Sequence, residues 1–153
     1  MRIRYKLLLI TYISMISCSL QSNQMTDREK MSQVVMLEFE EISHVNVKLI
    51  DSEYQLLNSQ ADINKIYKTI NENNPSPRKS PIPPYEGDPY IVLQPQITKT
   101  DFEVKNVSRS GKSLRIHIQE IDNPEFKNKK HPASIILLNK KITYNKVEIK
   151  TDK

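Results

Sequence analysis

With 153 residues, 37% of them hydrophobic, the chain has enough apolar matter for one small domain with its own core. Its 23 Lys and Arg outnumber 18 Asp and Glu, but three of those cations fall in the first six residues; the other 20 against 18 leave about +2, which gives no argument for a nucleic-acid partner. One cysteine excludes an intrachain disulfide, and two glycines leave no loop suited to cradling phosphates.

The chain starts with Arg2, Arg4 and Lys6 ahead of a mainly apolar run from Leu7 to Ile16, followed by small Ser17 and the lone Cys18. A cationic start, a short greasy segment and a small residue at the cleavage point are the layout of an export signal. The run is shorter than the roughly 20 apolar residues that span a bilayer. Met15-Ile16-Ser17-Cys18 resembles the bacterial lipobox, in which cleavage between Ser17 and Cys18 frees a thiol that carries a diacylglyceryl group. The resemblance implies a signal peptide over residues 1–17, acyl chains such as palmitate on Cys18, and a lipid-anchored place in the bacterial cell envelope. Ser19 rather than Asp after the cysteine resembles lipoproteins sorted to the outer membrane. An ordinary secretory signal with an incidental cysteine is the plainer alternative. Residues 18–33 are polar and aperiodic, as a flexible tether would be, and residues 34–150 read as a single domain.

That domain opens with β-rich sequence. Val35, Leu37 and Phe39 alternate with Met36, Glu38 and Glu40, then Val45, Val47 and Leu49 with Asn46, Lys48 and Ile50, which predicts two strands with a short break. Tyr54 to Leu57 is a third extended piece. Ser59 then caps a helix whose Ile63, Ile66, Tyr67 and Ile70 form one apolar stripe, with Asp62 at the positive end of the helix dipole. The helix must end before Pro75, because the residue before a proline avoids helical backbone angles. Six prolines in the sixteen residues from Asn74 to Pro89 enforce an extended strap, with Pro81-Ile82-Pro83-Pro84 suited to polyproline II. The commoner use of such a run is a rigid crossover; its functional use is a docking surface for a partner.

The remainder reads as β. Tyr90 to Gln94 is a short, nearly continuous apolar strand. Phe102 to Val107 alternates with Val107 out of phase, which predicts a bulge. Gly111 supplies a hairpin turn, and Leu114, Ile116 and Ile118 face inward opposite Arg115, His117 and Gln119. Ala133-Ser-Ile-Ile-Leu-Leu138 reads as a central strand buried on both faces, and Ile142 to Ile149 forms the last strand. The expected fold is α+β, a mainly antiparallel sheet of about seven strands with one packed helix.

This order of elements resembles the protease-complex accessory domain of the PrcB type over about Val34 to Ile149. There a proline-rich segment follows the helix and leads into a Val/Ile-rich strand, places that Pro81 to Pro84 and Tyr90 to Leu93 would fill. The family's glycine-rich turn has no counterpart in Gln96 to Asp101. The resemblance implies a non-catalytic partner of a secreted protease.

Catalytic signals are sparse. His44, His117 and His131 are scattered without metal-ligand spacing, so neither a metal nor another cofactor is expected. No glycine-framed nucleophile elbow occurs, and Glu38, Glu40, Glu41, Glu103 and Glu120 are not paired by sequence. Lys127, Lys129 and Lys130 lie in a basic loop suited to an acidic partner, or simply to solvent. The expectation is therefore a binding module that is not an enzyme, with Pro81, Pro83, Pro84 and the three lysines as contact candidates. The alternative is an envelope hydrolase whose active site the sequence does not announce.

Overall fold

The computed structural model describes residues 33–126, 131–139 and 143–152. Cys18, Ser17, the tether up to Ser32, and Lys127, Lys129 and Lys130 lie outside the described residues. Among the described residues eight strands and one helix follow each other: β1 (Val34–Leu37), β2 (Phe39–Asn46), β3 (Tyr54–Leu57), α1 (Gln60–Asn73), β4 (Tyr90–Leu93), β5 (Asp101–Ser110), β6 (Ser113–Ile121), β7 (Pro132–Leu138) and β8 (Lys146–Asp152), with a 3-10 turn at Pro124–Phe126. The α+β class holds, with eight strands rather than about seven. They form two sheets of four, ordered β1-β5-β6-β8 and β2-β7-β4-β3.

Three layers result, and the sequence patterns explain them. Tyr90 and Val92 pack with the α1 stripe, whereas the intervening Ile91 and Leu93 pack against the other sheet. Ile135 and Ile136 split in the same way. The β2-β7-β4-β3 sheet is thus the middle layer, covered by α1 on one side and by the β1-β5-β6-β8 sheet on the other. A strand buried on both faces has no polar side to show, which is why β4 is an unbroken apolar run and β7 is apolar but for Ser134, whose hydroxyl is bound to Glu41. The outer sheet is one-sided: Leu114, Ile116 and Ile118 are fully buried, while Arg115 and Gln119 face away from the core. Each fully buried Ile or Leu contributes about 1.5–3 kcal/mol relative to exposure.

The helix forms where its cap dictates. The Asp62 amide donates to Ser59 Oγ at 3.2 Å, while the Ser59 hydroxyl and the Asn58 amide donate to the Asp62 carboxylate at 2.7 and 3.2 Å. Ile63, Ile66, Tyr67 and Ile70 are its buried residues. The β5–β6 hairpin turns through Gly111 at φ +58° and Lys112. A bulge falls between Val104 and Asn106, and beyond it Val107 is fully buried, as its phase requires.

Three expectations are corrected. The second strand is not centred on Val45 to Ile50; the chain leaves the outer sheet at Glu38, crosses at once to the middle sheet, and runs as β2 only to Asn46. Leu37 and Phe39, either side of that corner, both pack into the core between the sheets, so apolar spacing continues while the sheet changes. The final strand lies later than Ile142 to Ile149, at Lys146–Asp152, and runs parallel to β6 rather than antiparallel.

Candidate functional site

The proline strap is neither loose nor embedded. Two amide side chains on opposite ends of α1 hold it. Asn71 Nδ2 donates to the Ser80 carbonyl at 3.1 Å while Asn71 Oδ1 accepts from the Ser80 amide at 2.6 Å. Gln60 does the same further along, donating to the Pro83 carbonyl at 3.2 Å and accepting from the Tyr85 amide at 2.7 Å. Tyr90 donates its hydroxyl proton to the Pro84 carbonyl at 3.1 Å. The side-chain amides replace the regular backbone pairing that prolines forbid. Pro81 and Pro84 are left exposed, Pro83 half-buried, and Ile82 shows 47% of its surface. Between strap, helix and β2 lies a cleft of about 430 Å³, lined by Ile42, Ser43, Tyr67 and Ser80 to Pro84.

Ile42, three residues from Phe39, faces that cleft by ordinary alternation, and a bulge turns Ser43 to the same side. The register of β2 against β7 slips between Glu41 and Ser43. In a regular strand residues three apart point to opposite faces; the extra residue brings Glu41 and His44 to the same face. There they meet Asp101 of β5. His44 Nδ1 lies 2.8 Å from Glu41 Oε1, and Nε2 lies 2.7 Å from Asp101 Oδ1. Asp101 also accepts from the Phe102 amide at 2.8 Å and from Asn123 Nδ2 at 2.8 Å. Ser134 donates its hydroxyl proton to Glu41 at 2.6 Å. Phe126 stacks on the imidazole with ring centroids 5.8 Å apart.

A carboxylate oxygen at each ring nitrogen requires both nitrogens to donate, so the geometry calls for imidazolium. Burial is the largest single influence on His44 and opposes its charge, but the hydrogen bonds to Glu41 and Asp101 and their negative charge together raise its pKa above the ordinary value. The hydrogen bond from His44 lowers the pKa of Glu41, against the cost of burial. The cluster joins a strand of the middle sheet to a strand of the outer sheet, as a clasp. It is poorly suited to turnover: the imidazole has no free nitrogen to act as a base, and fully buried Ser134 offers its proton to Glu41 rather than to His44.

Of the contact candidates read from sequence, Pro81, Pro83 and Pro84 therefore share one surface with Ile82. The sequence leaves His44 scattered and Glu41 unpaired, and gives no sign of Asp101, which the fold brings to them. His117 is half-buried on the outer face of β6, and His131 is exposed at the start of β7.

Family models, curated proteins and solved structures were compared with this chain, and none matches.

Among the described residues no group of His, Cys, Asp and Glu is arranged to hold a metal ion, and no helix is long and apolar enough to cross a membrane.

Proposed function

We propose that this chain is a bacterial envelope lipoprotein, anchored by acyl chains on Cys18, whose α+β domain grips another envelope protein through the proline strap. The observation that carries the binding half is the laced strap with Ile82 displayed beside an apolar-walled cleft. An extended segment already fixed by Asn71 and Gln60 loses little freedom on docking, so more of its contact energy appears as affinity. Exposed apolar surface next to such a segment is where contact with a partner excludes water. The anchoring half rests on Arg2, Arg4, Lys6 and the Met15 to Cys18 motif. Each buried acyl methylene adds about 0.8 kcal/mol, so two or three chains hold the protein on its membrane.

The resemblance to the PrcB type makes a secreted protease the first partner to look for, and Ser19 makes the outer membrane the first place to look. A binding role without turnover fits the clasp, whose reactive groups are all engaged with one another. Two measurements test the proposal. Intact mass of protein isolated from its own host is expected to begin at Cys18 and to carry diacylglyceryl; residues 1–17 still present, or an unmodified thiol, end the anchoring half. Ile82→Arg is expected to lower recovery of the co-purifying partner while leaving the unfolding midpoint in place; equal recovery ends the strap half.

A further inference from the structure

A second cleft shares no residue with the strap. Its volume is about 360 Å³, within the range of small-ligand sites. Three segments far apart in sequence meet around it, and each brings one cationic or basic group: Lys48 after β2, Lys99 before β5, and His131 before β7. None of the nine described residues lining it is acidic. Its apolar wall comes from Ile50, Pro95, Ile97 and Pro132.

The walls are fixed by the side chains of Gln94 and Glu120. Gln94 Oε1 accepts from the Leu49 and Ile50 amides at 2.9 and 3.1 Å, and Gln94 Nε2 donates to the Val47 and His131 carbonyls at 3.0 and 3.1 Å. One amide thus spends all four of its hydrogen-bonding positions tying the Lys48 loop to the His131 segment. Glu120, only 7% exposed, holds the third wall by accepting from the Thr98 hydroxyl and the Thr98 and Lys99 amides. The Lys99 ammonium donates to the Glu120 carbonyl at 3.3 Å, and that of Lys48 pairs with exposed Asp51 at 2.6 Å. Each ammonium carries three protons, so both keep donors for a further acceptor.

We infer that this cleft binds a carboxylate carried on a short apolar stem. The ammonium groups and the imidazole take the charge, and Ile50, Ile97 and the prolines take the stem. The chemistry is shared by the end of a peptide chain finishing in an apolar residue and by a free short-chain acid. Phosphate lacks the stem and would leave the apolar wall wet. The inference does not depend on the strap reading.

The test is amide chemical-shift titration of the folded domain with four probes: N-acetyl-Ala-Ala-Val as the free acid, the same peptide as its C-terminal amide, hexanoate and acetate. Saturable shifts confined to the segments around Lys48, Gln94, Lys99 and His131 are expected with the peptide acid or hexanoate. Hexanoate binding as tightly as the peptide assigns a free acid; the peptide binding alone assigns a chain end. The peptide amide and acetate are each expected to bind about ten-fold weaker or less, the loss of about 1.4 kcal/mol of recognition. The pair Lys48→Met and Lys99→Met is expected to lower affinity by a similar factor with the unfolding midpoint unchanged. Equal binding of acid and amide, shifts scattered over the other lysines, or no saturation with any probe overturns the inference.

Discussion

The two sheets each contain a bulge, and only one of them was visible in advance. In the outer sheet, bare on one face, Val107 breaks the alternation and thereby announces the slip between Val104 and Asn106. In the middle sheet, apolar on both faces, Phe39 and Val45 have the same parity and are both apolar, yet Phe39 packs between the sheets and Val45 on the helix side. Where either face accepts an apolar residue, the shared parity of Phe39 and Val45 gives no sign of the change of face. The hidden bulge is the one with consequences: it turns Ser43 to the strap cleft and brings His44 beside Glu41 in the clasp. Functional placement in this molecule depends on the covered sheet, whose pattern is least informative.

The contrast between the sheets sets an order of sensitivities. Ile135 is fully buried between α1 and the middle sheet, so Ile135→Ala is expected to cost about 2–5 kcal/mol through lost burial and the cavity left behind. Glu103→Gln, on the bare face and paired only with Lys105, is expected to change stability by less than about 0.5 kcal/mol. Denaturant midpoints of the two variants measure the difference, and similar values would break the layered account.

The clasp comes next. His44 has a raised pKa, so its contribution is complete below its ordinary value of 6.5 and is lost as pH rises through the higher folded value. Glu41 has a lowered pKa, so its contribution is complete above its ordinary 4.5 and is lost as pH falls through the lower folded value. Together they are fully engaged between 4.5 and 6.5. Inside that window His44→Gln is expected to cost about 1–3 kcal/mol, because it leaves the nearly buried Asp101 short of a charged donor. The wild-type stability profile is expected to fall on its alkaline side and the variant's profile to be flatter there; parallel profiles measured by urea unfolding across pH would remove the clasp from the account.

The smallest effect concerns the strap. Asn71→Ala removes both bonds to Ser80 and is expected to cost about 1 kcal/mol. Its clearer readout is hydrogen exchange at the Ser80 amide, expected to quicken sharply while amides of β4 keep their protection. Unchanged exchange at Ser80 would mean that this part of the strap is held by something other than Asn71.

Much of the fold was legible because its signals are local and redundant. Ser59 and Asp62 mark one end of α1 and Pro75 the other, and four stripe residues give its face. The run Ile135 to Leu138, four apolar residues in a row, marks a strand covered twice. What stayed hidden depends on distant partners. The corner at Glu38 keeps its apolar spacing while changing sheets, and the parallel pairing of β8 with β6 is a matter of topology, not of composition. Of the sites, the strap was readable because proline limits the backbone wherever it stands. The clasp and the cationic cleft were not, since Asp101 lies 57 residues from His44 and Lys48, Lys99 and His131 share no segment.

Photo-crosslinking in the native envelope tests the central claim most directly, with the crosslinking residue placed at Ile82 on the strap and, in a separate variant, at Gln119 on the bare outer face. The account predicts one discrete partner band at Ile82 that is lost when Ile42→Arg is added to fill the adjoining cleft, and no such band at Gln119. The same bands from both positions, or a discrete partner at Gln119 alone, would contradict it.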